Sequence, residues 1–75
     1  MFSIFKKAPK RVEIPKVGSV YEDANWGDTW VEVEAVSKNS ELVRYTFIKV
    51  QGRPVNKGAL WDLTVTSFNN LYKKR

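Results

Sequence analysis

Apolar and polar residues alternate along two neighbouring stretches in the middle of the chain, Thr29–Val36 and Leu42–Val50. A period of two is typical of a β-strand with one buried face. Ser37-Lys38-Asn39-Ser40 separates the two stretches and has the composition of a turn. The pattern therefore predicts a β-hairpin. Its apolar face contains Val31, Val33 and Ala35 from the first strand, and Val43, Tyr45 and Phe47 from the second.

The side chains also predict how the two strands pair. If paired residue numbers add up to 78, the apolar residues of both strands lie opposite one another. A shift by one residue would mix the two faces and would lose this apolar block. The opposite face then contains three pairs: Glu34–Arg44, Glu32–Thr46 and Trp30–Ile48.

Further strand patterns flank the hairpin. Residues 17–21 precede a turn-rich segment, and Leu60–Val65 alternates again after the break at Gln51–Pro54. Closing a sheet removes its unpaired edges. We therefore predict a mainly β fold, a small SH3-like antiparallel barrel of four or five strands with a short C-terminal helix. An open antiparallel sheet with the helix packed on one face is the alternative.

The same pattern predicts the core and the final helix. Thr66 or Ser67 is the candidate N-cap, and the basic residues 73–75 suit the C-terminal end of a helix dipole. The predicted buried face of the helix consists of Phe68, Leu71 and Tyr72. The predicted aromatic core of the sheet consists of Tyr45, Phe47 and Trp61.

The first sixteen residues differ from the rest of the chain. They contain two of the three prolines and show no sustained period, although Val12 and Ile14 suggest a short edge strand that ends at Pro15. We predict a basic N-terminal arm over residues 1–16, either mobile or lying across the body. Residues 17–75 form the small β-barrel domain, with a basic C-terminal end.

Composition narrows the possible functions. The 75 residues contain neither cysteine nor histidine, which removes disulfides, thiolate chemistry and the commonest general base and zinc ligands. The acidic residues Glu22, Asp23 and Asp28 lack the spacing of a calcium loop. A chain this short is not expected to form a pocket of useful size. We therefore expect no enzyme activity, no cofactor and no metal site.

The charge distribution suggests one class of partner. The net charge is +5 and the isoelectric point is near 9.7, but residues 17–72 have a net charge of −2 and both ends are basic. Basic ends can bind phosphate backbones without sequence preference, or can simply aid solubility. A small nucleic-acid-binding β-barrel is therefore the alternative function. Its candidate contacts are Lys6, Lys7, Lys10, Arg11, Arg53, Lys57, Lys73, Lys74 and Arg75.

Two tryptophans suggest another class of partner. Trp26 lies in a predicted turn, where it is either an exposed anchor or a cap folded over one end of the barrel. Trp30 falls on the polar face of the hairpin, which is either solvent-exposed or covered by the arm or the final helix. An exposed face predicts a non-enzymatic module that docks on a larger protein. The candidate partner-binding residues are Trp26, Trp30, Ile48, Glu32, Glu34 and Arg44.

Membrane binding is the weakest of the partner hypotheses. No apolar run approaches the ~18 residues that cross a bilayer, and Phe2, Ile4 and Phe5 with the following Lys6 and Lys7 make a weak interfacial anchor. The apolar stretch precedes its lysines and is too short for a secretory signal. We expect a cytoplasmic location, with an oligomeric state that the sequence leaves open.

Several of these residues form a pattern similar to that of short, uncharacterised bacteriophage accessory proteins. The pattern contains Gly18-x-x-Tyr21, the Glu22-Asp23 turn, Gly27-x-x-Trp30-Val31-x-Val33-x-x-Val36, Val43-x-Tyr45 and Phe68-x-x-x-Tyr72. It spans about residues 17–72. The resemblance implies an SH3-like fold and a product that binds and modulates a host protein in the cytoplasm of an infected cell. It implies no catalytic residue.

Overall fold

The computed structural model describes residues 13–75, which form one antiparallel sheet and one short helix. The predictions about Lys6, Lys7, Lys10 and Arg11, and about the apolar residues before them, concern residues outside the described part of the chain. The elements are β1 (Val20–Asp23), β2 (Trp30–Val36), β3 (Leu42–Val50), β4 (Arg53–Pro54), β5 (Trp61–Thr64), α1 (Val65–Leu71) and β6 (Tyr72–Lys74).

The strands are arranged in the order β4-β3-β2-β1-β6, and β5 pairs with the same edge of β3 as β4 does. All neighbouring strands are antiparallel. α1 connects β5 at one side of the sheet with β6 at the other. The predicted class, mainly antiparallel β with a short C-terminal helix, is confirmed. The sheet has six strands and not the predicted four or five, because β4 and β6 are short additional strands. Within residues 13–75 no backbone ladder joins β5 to β6, so the described sheet is not closed into a barrel.

The hairpin register is confirmed at its centre and wrong at both ends. Val31 pairs with Phe47, Glu32 with Thr46 and Val33 with Tyr45, as the alternation predicts. Irregularities between Val33 and Ala35 and between Trp30 and Val31 then shift the pairing by one residue. A β-bulge adds one residue to one strand, so the residues beyond it meet new partners. The outer pairs that result are Ala35–Arg44, Val36–Val43 and Trp30–Lys49.

The hydrophobic core lies between α1 and one face of the sheet. Phe68 of the helix is fully buried, and its ring packs against three tyrosines at centroid distances of 4.9, 5.4 and 5.0 Å. These tyrosines are Tyr21, Tyr45 and Tyr72. The remaining buried core residues are Val31, Val33, Val43 and Val65. Small domains bury a limited fraction of their surface, so this aromatic cluster is a large share of the core.

Four predictions about the core and the helix are wrong. Trp61 is exposed rather than buried, and Leu71 is exposed on the outside of the helix. The N-cap is Thr64, two or three residues earlier than predicted, and its hydroxyl accepts a hydrogen bond from the Ser67 N–H at 3.1 Å. It ends at Leu71, so residues 73–75 are not at a helix terminus: Lys73 and Lys74 belong to β6.

The start of the described chain runs past the helix. Residues 13–16 form no strand. The expected edge strand at Val12 and Ile14 is therefore wrong for Ile14, and Val12 lies outside the described residues. The Asn69 side-chain amide donates a hydrogen bond to the carbonyl of Glu13 at 2.9 Å, and Pro15 is buried. The chain therefore lies against α1 before it enters β1. No helix within residues 13–75 has the length and hydropathy needed to cross a bilayer.

The turn between β3 and β4 depends on a glycine. Gln51 and Gly52 both have positive φ angles, 51° and 82°, and the Gly52 N–H donates to the carbonyl of Asp28 at 2.8 Å. The Gln51 N–H donates to the Thr29 hydroxyl at 3.2 Å. These bonds hold the β3–β4 turn against the loop that leads into β2. Because positive φ is strained for residues with a Cβ, the turn favours glycine at position 52.

We expect Gly52→Ala to lower the free energy of unfolding by about 1–2 kcal/mol. A Cβ at position 52 would meet no atom within 4 Å, so the cost arises from the backbone angle and not from a clash. Urea denaturation of both proteins measures it. Gly58→Ala is the matched control, because Gly58 does not have a positive φ and its added Cβ has only an ordinary contact at 3.9 Å. Equal losses in the two variants would contradict this account of the turn.

Candidate functional site

Trp30 lies on the outer face of the sheet, the face opposite the core. Its strand neighbour Val31 points into the core, and side chains alternate along a strand. The Lys49 Nζ lies 4.0 Å and the Arg75 Cζ lies 3.7 Å from the centroid of the indole ring. The indole N–H donates to the Gly27 carbonyl at 2.9 Å. Trp30 therefore projects away from the core as predicted, but it is half-buried beneath two cationic side chains.

The acidic residues of the outer face are paired within the chain. The Lys57 Nζ lies 2.5 Å from a carboxylate oxygen of Glu32 and 3.5 Å from one of Glu34. The hydrogen bond with Glu32 raises the pKa of Lys57. The hydroxyl of Thr46, which is buried, donates to the carbonyl of Ala59 at 3.0 Å. The loop between β4 and β5 therefore covers part of the predicted hairpin surface.

Arg44 has a different partner from the one predicted. Its guanidinium forms two hydrogen bonds with the Asp62 carboxylate on β5, at 2.8 and 3.1 Å. This hydrogen-bonded pair holds the pKa of Asp62 below its ordinary value and raises that of Arg44. Both side chains remain about half exposed, so the pair adds little stability in water. The predicted Glu34–Arg44 pair is wrong because the bulge near Glu34 moves Ala35 opposite Arg44.

Ile48 is not opposite Trp30, because the second register shift places Lys49 there. It is half-buried, and its carbonyl accepts a hydrogen bond from the Val55 N–H at 3.1 Å. The expected apolar strip of Trp30 and Ile48 is therefore replaced by a tryptophan beside a lysine. The structure does not bring the six candidate partner-binding residues together as one apolar surface.

Trp26 is the exposed tryptophan of the predicted set. The Asp23 carboxylate accepts hydrogen bonds from the backbone N–H groups of Asn25 and Trp26, at 2.8 and 3.1 Å. A side chain that bonds the following backbone in this way defines a turn. Trp26 remains 65% exposed on this turn. Trp26 is therefore not folded back as a cap, and its role as a binding anchor stays a prediction.

Trp61 is an exposed aromatic residue that the sequence analysis placed in the core. It lies on the edge strand β5, opposite Tyr45 of β3, and is 52% exposed. Its ring meets that of Phe47 edge to face at 6.5 Å, and Leu63 is the next residue on the same face. We call Phe47, Trp61 and Leu63 the aromatic edge. Alternation places Trp61 on the same face as Leu63 and Val65, so the sequence carried no signal of its exposure.

The candidate nucleic-acid contacts are divided between several parts of the fold. Lys73 and Arg75 each lie 3.4 Å from the carboxylate of Glu22, and Lys57 pairs with Glu32. Arg53 and Lys74 are exposed on different strands, β4 and β6. Most of the described candidates therefore have a carboxylate neighbour, which weakens their attraction for phosphate.

Shallow depressions are present beside the hairpin turn. One has a volume of about 230 Å³ and is lined by Ala35, Leu42 and the Arg44–Asp62 pair, among others. Another, of about 340 Å³, lies between Ile14 and the start of α1. These volumes are at or below the lower end of small-molecule sites. Across residues 13–75 no group of three or more acidic side chains is placed to hold a metal ion.

Comparison of the chain with protein-family models, with curated proteins and with solved structures finds no match. The resemblance to bacteriophage accessory proteins therefore stays a sequence-based prediction.

Proposed function

We propose that this protein is a non-enzymatic protein-binding module that docks on a larger protein through the aromatic edge, with Trp26 as a second anchor. In the bacteriophage interpretation, the partner is a host protein whose activity or assembly the docking changes. The observation that carries the proposal is the half-exposed ring of Trp61, held on a strand and in contact with Phe47.

The aromatic edge has the properties of a binding anchor. Tryptophan is enriched among the residues that contribute most to protein interfaces, because its ring buries a large area with little loss of conformational freedom. The Trp61 ring is already positioned by Phe47 and by the pairing of β5 with β3. Preorganisation of this kind lowers the entropic cost of binding. The Arg44–Asp62 pair lies on the opposite face of the same two strands, so it is not part of this surface.

The hairpin surface predicted from the sequence supports docking less well. Glu32 and Glu34 share Lys57, and Trp30 is partly covered by Lys49 and Arg75. A partner would have to displace these contacts before it reached the indole ring. We therefore assign the main contribution to binding to Trp61 and Trp26, with the hairpin surface as surrounding contacts.

We expect Trp61→Ala to weaken partner binding by about thirtyfold or more, which corresponds to the ~2 kcal/mol of an interface hot spot. Affinity purification from the native cell with mass spectrometry identifies the partner, and calorimetry then measures the affinity of each variant. Trp26→Ala tests the second anchor separately. Leu71→Ala is the matched control, since Leu71 is similarly exposed but lies on the helix. Full affinity in both folded tryptophan variants would exclude this proposal.

Nucleic-acid binding is less well supported as the function. Its strongest support is the position of Arg75 and Lys49 over the Trp30 ring, since cations beside an aromatic ring are common in single-strand binders. However, Glu22 lies within 3.4 Å of two of these cations and repels phosphate. The two cations that lie over an indole ring, Lys49 and Arg75, cover Trp30. They do not cover Trp26 or Trp61, which are more exposed.

A further inference from the structure

Three strands lie at the edges of the described sheet, and two of them carry residues that discourage further pairing. β6 contains two lysines, and β4 consists of Arg53 and Pro54. Lysine repels a like-charged strand, and proline lacks the backbone N–H that a ladder needs. The edge strand β5 has no such protection, because its one charged residue, Asp62, is already paired with Arg44. β5 is therefore the edge that is open to another strand.

The backbone of β5 directs every second residue away from the sheet. The Val65 N–H donates at 2.9 Å to the carbonyl of Glu41, the residue just before β3. Hydrogen-bonded pairs alternate along an antiparallel ladder, so Leu63 and Trp61 also direct their N–H and C=O groups towards β3. Those of Asp62 therefore point to the free side, where no strand within residues 13–75 pairs with them.

The residue before β5 extends this free edge. The Ala59 carbonyl accepts a hydrogen bond from the Thr46 hydroxyl of β3, so it points towards the sheet like the carbonyl of Trp61. By the same alternation, the N–H and C=O groups of Leu60 point outwards with those of Asp62. The Leu60 and Trp61 side chains are both about half exposed. The edge thus combines outward backbone groups with two large apolar side chains.

We propose that two copies of this protein pair through β5 in antiparallel orientation, about a two-fold axis at Trp61. Leu60 of each copy then lies opposite Asp62 of the other, and their outward backbone groups exchange both N–H···O hydrogen bonds. The two Trp61 residues form a non-hydrogen-bonded pair, in which the side chains of an antiparallel ladder come closest. Because Phe47 contacts the Trp61 ring in each copy, one aromatic cluster spans the axis.

The charges of β5 favour this register. An axis at Asp62 would place two carboxylates opposite each other, which destabilises a ladder. With the axis at Trp61, each carboxylate lies opposite a leucine and keeps its own partner, Arg44. The basic strand β6, which would repel a second copy, lies at the other side of the sheet. Identical strands related by a two-fold axis are self-complementary, so a second copy matches both the apolar and the polar positions of β5.

Pairing through β5 covers the aromatic edge. Self-association is then a concentration-dependent control on docking, because the dimer holds Trp61 covered and the monomer released on dilution exposes it. This consequence rests on the proposed function, whereas the pairing itself does not.

Sedimentation velocity and the amide shifts of the ¹⁵N-labelled protein test the pairing. Over an about thousandfold range of concentration, we expect a monomer at the low end and a dimer at the high end. The amide signals of residues 60–64 should shift with concentration, and hydrogen exchange at Leu60 and Asp62 should slow. A monomer at every concentration would overturn the inference, and so would a dimer whose shifts lie at β6.

Opposite charges at position 60 test the register. Leu60→Glu places a carboxylate opposite Asp62 of the other copy on both sides of the axis, whereas Leu60→Lys places a cation there. We expect the dimer of Leu60→Lys to be about tenfold tighter than that of Leu60→Glu. The chain has a net charge of +5, so a general charge effect predicts the reverse order. Thermal unfolding establishes that both variants are folded, and equal or reversed affinities would contradict the pairing.

Failure of this inference differs from failure of the docking proposal. If the wild-type chain stays monomeric while Trp61→Ala still loses the larger partner, only the self-pairing is wrong. If the two Leu60 variants dimerise as expected while the Trp61→Ala and Trp26→Ala proteins bind the larger partner fully, only the docking proposal is wrong.

Discussion

Phe68→Ala is expected to remove a large part of the stability of this protein. The Phe68 side chain is fully buried, and its ring contacts Tyr21, Tyr45 and Tyr72 at centroid distances of 4.9, 5.4 and 5.0 Å. Removing a buried phenylalanine side chain typically costs about 3–5 kcal/mol, because contacts are lost and a cavity stays. Edge-to-face pairing with Tyr21 and Tyr45 adds to the stabilisation that burial of the ring provides.

The loss is large compared with the total stability of a small domain. At roughly 0.05–0.15 kcal/mol per residue, a chain of this length has a free energy of unfolding of about 4–11 kcal/mol. The central position of Phe68 also joins the helix to both halves of the sheet, since Tyr21 and Tyr72 lie in β1 and β6 and Tyr45 lies in β3. Its removal therefore affects every layer of the fold at once.

Urea denaturation followed by circular dichroism measures the effect. Phe68→Leu is the first control, because it keeps most of the buried volume and should cost much less. Leu71→Ala is the second, because it shortens an exposed side chain on the same helix. A loss below about 1 kcal/mol in Phe68→Ala would show that this residue is not the centre of the core.

High pH is expected to destabilise the protein through Tyr72. Burial raises the pKa of Tyr72 above its ordinary value of 10, and its interactions with Tyr45 and Asp23 raise it further. The folded protein therefore holds this phenol neutral at a pH where the unfolded chain ionises it. Below pH 10 the group is neutral in both states and the stability is fully present. Above pH 10 ionisation of the phenol lowers the free energy of the unfolded state, so the free energy of unfolding falls as pH rises.

The expected size follows from the ordinary titration energy. Each pH unit above 10 costs on the order of 1 kcal/mol for a tyrosine that stays neutral in the folded state. Denaturation curves at pH 8, 10, 11 and 12 measure it. Tyr72→Phe retains the ring and removes the titrating group, so its stability should fall less over the same range.

Tyr21 provides a second test of the same cause. Burial raises the pKa of Tyr21, and the nearby charge of Glu13 adds to the effect. We expect Tyr21→Phe to reduce the alkaline sensitivity by a smaller amount than Tyr72→Phe. An identical loss of stability in the wild type and in both phenylalanine variants would show that other groups, such as the deprotonating lysines, cause the alkaline transition.

The candidate site shows where sequence reasoning loses information. Alternation predicted correctly that Trp30 lies on the face opposite the core, but it gave no information about the Lys49 and Arg75 side chains over the ring. It also predicted that Trp61 shares a face with core residues, which the register opposite Tyr45 confirms. Whether that face is covered depends on how far α1 extends, and α1 leaves Trp61 half exposed.

Local patterning is enough to predict the central hairpin, its apolar face and the mainly β class, because a period of two can be recognised from neighbouring residues. It also predicts that Phe68 and Tyr72 are buried, since both have apolar spacing near the end of the chain. The bulges, the end of α1 at Leu71 and the pairing of β6 with β1 became visible only in the folded protein. Those features arise from contacts between residues far apart in the chain, and local patterns do not encode them.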